Sequence, residues 1–178
     1  MVAFAEAFRA EAERLGAGRG LAFATTLRGE AELLSGALDD ADADLREAAR
    51  LNRAVGASTG EALALQRQAE VALHRGQAAT AGLLLDEALA VARESNVGFH
   101  LLDRIYGSRI TAAADPADAL ARLDEAERAV RGLPGEVLPD AQAGEPVLHG
   151  LIADVADPGL VDGGDRQFLG VGGDGLSQ

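Results

Sequence analysis

The chain has 178 residues, the length of one domain with or without a tail, and carries a formal net charge of −13. That charge argues against a basic face able to neutralise nucleic-acid phosphates or to hold an anionic membrane surface. Cysteine is absent, which removes disulfides, thiolate nucleophiles and Cys-ligated zinc.

The hydrophobic fraction of 48% is enough for a core, and it is mostly Ala, Leu and Val, with five Phe, one Tyr and no Trp. Ala and Leu suit close helix–helix contact, whereas sandwiches and barrels draw on β-branched and aromatic residues. Every basic residue is Arg, the texture of a GC-rich coding sequence. No uninterrupted apolar run reaches the roughly 18 residues of a membrane span. The opening Met1-Val2-Ala3-Phe4-Ala5-Glu6 meets charge too early for a signal peptide. A cytoplasmic protein is the expectation.

Taken in chain order, the pattern predicts an opening helix over about residues 3–15. Three helical pairs follow, at about 20–35 and 39–55, 59–74 and 78–94, and 98–113 and 116–131. Asp39, Asp40 and Asp42 crowd a helix start, where negative charge is favourable, and Asp115-Pro116 reads as a cap followed by a first-turn proline.

The chain repeats itself. With an offset of forty, Gly16 falls on Gly56, Gly20 on Gly60, Glu30 on Glu70, Gly36 on Gly76, Ala41 on Ala81, Leu45 on Leu85, Ala48 on Ala88 and Arg53 on Arg93. An offset of thirty-eight brings a third copy: Ala69 falls on Gly107, Ala81 on Ala119, Leu85 on Leu123, and Asp86-Glu87-Ala88 on Asp124-Glu125-Ala126. Ala114 stands where the first two copies have Gly36 and Gly76. Phe8-Arg9-Ala10 to Gly16 is an N-terminal half-copy of Ala48-Ala49-Arg50 to Gly56. Small residues at Gly29, Ala69, Gly107, Ala41, Ala81 and Ala119 should be buried where two helices approach closely. Gly36 and Gly76 should sit at turns, where φ is often positive.

After about Gly132 the texture changes. Half of the glycines and every proline except Pro116 lie in this last stretch, and Arg166 is its only basic residue. Pro146–Ala156 reads as one short helix, and 159–178 as loop or disorder. The last predicted repeat helix presents Leu120, Leu123 and Val130, which a following hairpin or the stretch Val147–Val155 would cover.

No constellation carries chemistry. Asp40-x-Asp42-x-Asp44 opens like a calcium loop, but Leu45 and Leu51 stand where that loop needs Gly and Glu. Gly16-Ala-Gly18-Arg-Gly20 has no preceding strand and no following Lys-Ser or Lys-Thr, so it reads as a turn. His74, His100 and His149 have no partner at ligand spacing, and Ser35, Ser58, Ser95 and Ser108 lack a nucleophile-elbow context.

The repeat positions resemble the tetratricopeptide pattern. Its small–Gly–Ala–large–Ala skeleton is matched by Gly29, Gly36, Ala41, Leu45 and Ala48, and again by Ala69, Gly76, Ala81, Leu85 and Ala88. The resemblance covers roughly residues 3–131. It departs from the family in its length of about forty residues rather than 34, and in lacking the large first-helix aromatic and the terminal proline. Leu84-Leu-Asp-Glu-Ala-Leu-Ala-Val-Ala-Arg93 is similar, more narrowly, to the helical arrays of large ATP-dependent transcriptional regulators of the MalT and LuxR type from GC-rich bacteria. A nucleotide-binding domain precedes the array in that family and a helix-turn-helix often follows; neither is visible in this sequence.

The resemblance implies an all-α fold, a tetratricopeptide-like stack of antiparallel helical hairpins (an α-solenoid) over residues 1–131, with a poorly structured Gly/Pro/Asp-rich tail over 132–178. It implies a non-catalytic interaction or sensor scaffold, the repeat array of a transcriptional regulator without its ATP-binding and DNA-binding parts. A free-standing adaptor for a protein or peptide is the alternative. An enzyme using helix-borne carboxylates and His is a third reading, for which no convergent set is visible. In the tetratricopeptide register the first helix of each hairpin lines the groove, through Phe23, Thr26, Glu30 and Leu34, then Leu63, Gln66, Glu70 and His74, then Leu101, Arg104, Ser108 and Thr111. Phe23, Glu30, Gln66, Glu70, His74, Arg104 and Ser108 are the candidate binding residues. Their ligand would be a protein, a peptide or a small-molecule inducer. No catalytic residue, cofactor, metal, nucleic acid or membrane partner is expected, and self-association is a further expectation.

Overall fold

The computed structural model describes residues 2–131, and every regular element among them is an α-helix. These are α1 (Val2–Arg14), α2 (Gly18–Ser35), α3 (Leu38–Ala54), α4 (Ser58–His74), α5 (Ala78–Glu94), α6 (Phe99–Thr111) and α7 (Pro116–Arg131). Their ends fall within about two residues of the expected ones. The short helix expected at 146–156 and the loop expected at 159–178 lie outside the described residues.

The turns explain the spacing. Gly16, Gly36, Gly56 and Gly76 all have left-handed φ, between +62° and +82°. At Gly36 the glycine N–H donates to Leu33 O at 3.1 Å and the next N–H, of Ala37, to Glu32 O at 3.0 Å. At Gly76 the same pair of bonds runs from Gly76 to Leu73 O at 2.9 Å and from Gln77 to Ala72 O at 2.8 Å. This Schellman closure satisfies carbonyls that the helix end would otherwise orphan, and it needs a residue without a Cβ penalty at φ > 0. Asn96, at φ 49°, takes the fifth such position. Turns at 16, 36, 56, 76 and 96 make a twenty-residue unit of helix plus turn, half the repeat visible in the sequence. The next turn is built differently, which accounts for Ala114. Asp115 Oδ1 accepts the Asp118 N–H at 2.9 Å, and Asp118 Oδ2 accepts the Ala114 N–H at 3.0 Å, so side chains start α7 where glycine ended the earlier helices.

The same step orders the core. Ala5, Thr25, Leu45, Leu65, Leu85 and Ile105 occupy one position in six successive helices, and all are buried. Four residues before the turns at 16, 56, 76 and 96 a second row runs through Ala12, Asn52, Ala72 and Ala92, also buried. Each helix packs on its neighbours in the chain; α2 also touches α4, and α4 touches α6. Full burial of Leu45 or Leu85 stabilises by about 1.5–3 kcal/mol per side chain.

Gly29, Ala41, Ala69, Ala81 and Ala119 are buried as expected of the small residues at helix contacts. Gly107 is different. It is only half-buried, and a Cβ placed on it would meet nothing within 4 Å. The α6 interfaces are filled by the bulky Ile105, Tyr106 and Ile110, and large side chains hold helices apart, so no close backbone approach is needed there. A second correction concerns α7. Leu120 is exposed, but Leu123 is already buried among the described helices and is not presented to a further hairpin. The side chain of Val130 lies outside the described residues.

Candidate functional site

The seven candidate residues separate into two groups. Gln66 on α4 donates through Nε2 to Glu70 Oε1 at 2.6 Å and to Ser108 Oγ on α6 at 2.9 Å. Arg67 donates through Nη1 to Glu70 Oε2 at 2.5 Å and through Nε to Glu30 Oε1 on α2 at 2.7 Å. Glu30, Glu70, Gln66 and Ser108 are therefore members of one hydrogen-bonded chain across α2, α4 and α6, joined by Arg67.

Gln66 has no exposed surface, and its Oε1 is buried without a hydrogen-bond partner among the described residues. Burial works against the Arg67 charge, yet its hydrogen bonds and charge attraction to Glu70 and Glu30 outweigh this and raise its pKa. The network ties α2, α4 and α6 together through side-chain hydrogen bonds. Sequence reasoning passed over Arg67. Its spacing of three from Glu70 on one helix was legible, but the reach to Glu30 depends on α2 lying beside α4.

Phe23, His74 and Arg104 are exposed and stand outside the network. Phe23 has aromatic company instead. Its ring meets Phe8 edge-on, with centroids 6.0 Å apart, and Phe8 stacks on Phe4 at 6.4 Å. The resulting strip crosses from α1 to α2 with its rings in solvent, at 67% exposure for Phe4, 37% for Phe8 and 56% for Phe23. Phe4 and Phe8 are one helical turn apart and so share a face by sequence alone. Their meeting with Phe23 is a consequence of α1 packing on α2.

A second polar cluster lies between α2 and α3. The Arg28 guanidinium holds both carboxylate oxygens of Asp44, and Glu32 Oε1 lies 3.8 Å from Arg28 Nε. All three side chains are largely buried. Burial, and then the neighbouring Asp44 carboxylate, push the Glu32 carboxyl up to about 7.

Two shallow grooves lie on the surface of the described residues. One, of about 460 Å³, has Arg46, Arg50, Arg53 and Glu87 at its rim and Leu65 and Gln68 in its lining. The other, of about 330 Å³, is lined by Asp86, Arg109, Asp118, Arg122 and Glu125. Their arginines are engaged: Arg53 with Glu61 at 2.6 Å and Glu87 at 2.7 Å, Arg109 with Asp86 at 2.7 Å and Glu125 at 3.2 Å. Among the described residues no group of His, Asp and Glu could hold a metal ion, and no helix is long and apolar enough to cross a membrane.

Over the described residues, fold and surface together define an all-helical protein whose charged side chains largely pair with one another and which exposes three aromatic rings, Phe4, Phe8 and Phe23. No family model matches the chain, and no curated protein or solved structure matches it.

Proposed function

We propose that the chain is a non-catalytic protein-interaction or sensor scaffold, a tetratricopeptide-like stack of antiparallel helical hairpins of the kind found in MalT- and LuxR-type transcriptional regulators. Pairings across the turns support the hairpin reading. Thr26 and Asn52 hydrogen-bond at 3.2 Å and Gly29 packs on Leu45, both pairs closing around Gly36. Arg122 Nη1 donates to Arg109 O at 2.7 Å across the turn before α7. The twenty-residue step of turns and core positions supports the stack.

The observation that carries the functional reading is the solvent-facing strip Phe4–Phe8–Phe23. Aromatic side chains gathered on a surface mark contact sites for other proteins. On α1 beside the strip Arg9 pairs with Glu13 and Arg14 with Glu11, which favours docking over chemistry. The ligand is then a protein or peptide with apolar side chains to offer.

Panning a displayed-peptide library against the 178-residue chain tests this. Selected peptides should lose affinity by roughly tenfold or more in Phe8→Ser and Phe23→Ser, as at an interface hot spot. Circular dichroism should show both variants equally helical. A library without binders, or binders indifferent to both substitutions, would overturn the reading.

A further inference from the structure

The buried cluster between α2 and α3 has a feature that the repeat does not require. Four residues before the turns at 16, 56, 76 and 96 the chain places Ala12, Asn52, Ala72 and Ala92, all small or neutral, yet before the turn at 36 α2 places Glu32. At the position of Asp44 the next two helices have Ala64 and Leu84. Two acids thus stand at positions where α4 and α5 carry only uncharged residues, Ala64 with Ala72 and Leu84 with Ala92, and Arg28 is the cation between them.

We propose that Glu32 and Asp44, with Arg28 beside them, form a proton-binding site that sets how firmly α2 and α3 are held together, tightening the pair at mildly acidic pH and loosening it as Glu32 ionises. This inference is independent of what the aromatic strip binds.

The hydrogen-bond count supports it. Asp44 takes both N–H arms of Arg28. Glu32 is left with a 3.8 Å approach to the same guanidinium, and its Oε2 is buried with no partner among the described residues. An ionised Glu32 is therefore a buried, under-partnered acceptor. When protonated it is an O–H donor able to bond the Asp44 carboxylate, and the cluster becomes neutral: one guanidinium, one carboxylate, one carboxylic acid.

Among the described residues no other cation pairs with Glu32 or Asp44. From α1, the carboxylate of Glu6 faces Arg28, and from α3 Asp40 adds negative charge beside Glu32. On α4, Arg67 is held by Glu30 and Glu70, and Arg75 by Asp39 and Asp42.

The sign follows from linkage. The Glu32 carboxyl is raised from 4.5 to about 7 in the folded chain, so the folded state binds more protons than the unfolded state between those values. Stability from this site is present at the acid end of that window and is lost as pH rises through it.

Thermal unfolding of the full 178-residue chain and of Glu32→Gln between pH 5 and 8 tests the proposal. Glutamine keeps the shape and the donor but cannot ionise. The wild-type midpoint should fall across this range by about 4 °C or more relative to the variant. Other titrating groups, Asp103 among them, are common to both chains and cancel. A carbon-13 titration of the Glu32 carboxyl supplies a second readout, with a midpoint near 7 expected. Parallel melting curves, or a midpoint in the ordinary carboxylate range, would sink the proposal.

Discussion

Leu45 fills the space that a side chain on residue 29 would need. A Cβ on Gly29 would lie 2.7 Å from Leu45 Cγ and 3.2 Å from the Leu45 backbone N, both inside normal contact. Gly29→Ala should therefore destabilise by about 1–3 kcal/mol through overpacking, even against the roughly 1 kcal/mol of helix propensity that alanine brings. Gly107→Ala, in open space on α6, should instead gain up to about 1 kcal/mol. Urea denaturation of the two variants gives the comparison. Equal effects would show that α2 and α3 are not held at this spacing.

The turn glycines lead to a backbone prediction. Gly36 has φ +82°, and a Cβ there meets no neighbour, so any penalty is conformational. Gly36→Ala should cost about 1–2 kcal/mol. Asn96 already stands at φ 49°, so Asn96→Gly should be neutral or slightly stabilising. A Gly36→Ala chain as stable as wild type in chemical denaturation would contradict the Schellman closure.

Arg67 is the hub between α2 and α4. Arg67→Met keeps the aliphatic stem and strips Glu30 and Glu70 of their partner, leaving two half-buried carboxylates. About 1–3 kcal/mol should be lost. Native-state hydrogen exchange should quicken in both α2 and α4. Faster exchange in α4 alone would mean that the Glu30 contact carries no weight.

The aromatic strip should behave oppositely. Phe4 and Phe23 are more than half exposed, so Phe4→Ser and Phe23→Ser should change stability by no more than about 0.5 kcal/mol. Binding of a hydrophobic dye should fall in both. A large loss of stability would show that the rings belong to the core.

Much of this molecule was legible in its sequence, because helices and their ends are local. The Gly36 and Gly76 turns, the apolar period and the Asp115-Pro116 start each depend on residues a few positions apart, so all seven helices could be placed, and the all-α class with them. Small residues at 41, 69 and 81 could be read as buried because the repeat aligns them. Gly107 aligned equally well and has no such role, since the bulk of Ile105 and Tyr106 sets the spacing of α6.

What only the tertiary structure decided is which side chains meet. Of the candidate groove residues, Gln66 bonds Glu70 and Ser108 directly, Arg67 links Glu70 to Glu30, and Phe23 meets the Phe4–Phe8 pair through Phe8. Glu32 and Asp44, unremarkable acids in an acidic chain, share a single arginine. Each of these meetings joins residues on different helices, and side-chain register between helices depends on packing distance and crossing angle, which no local pattern specifies.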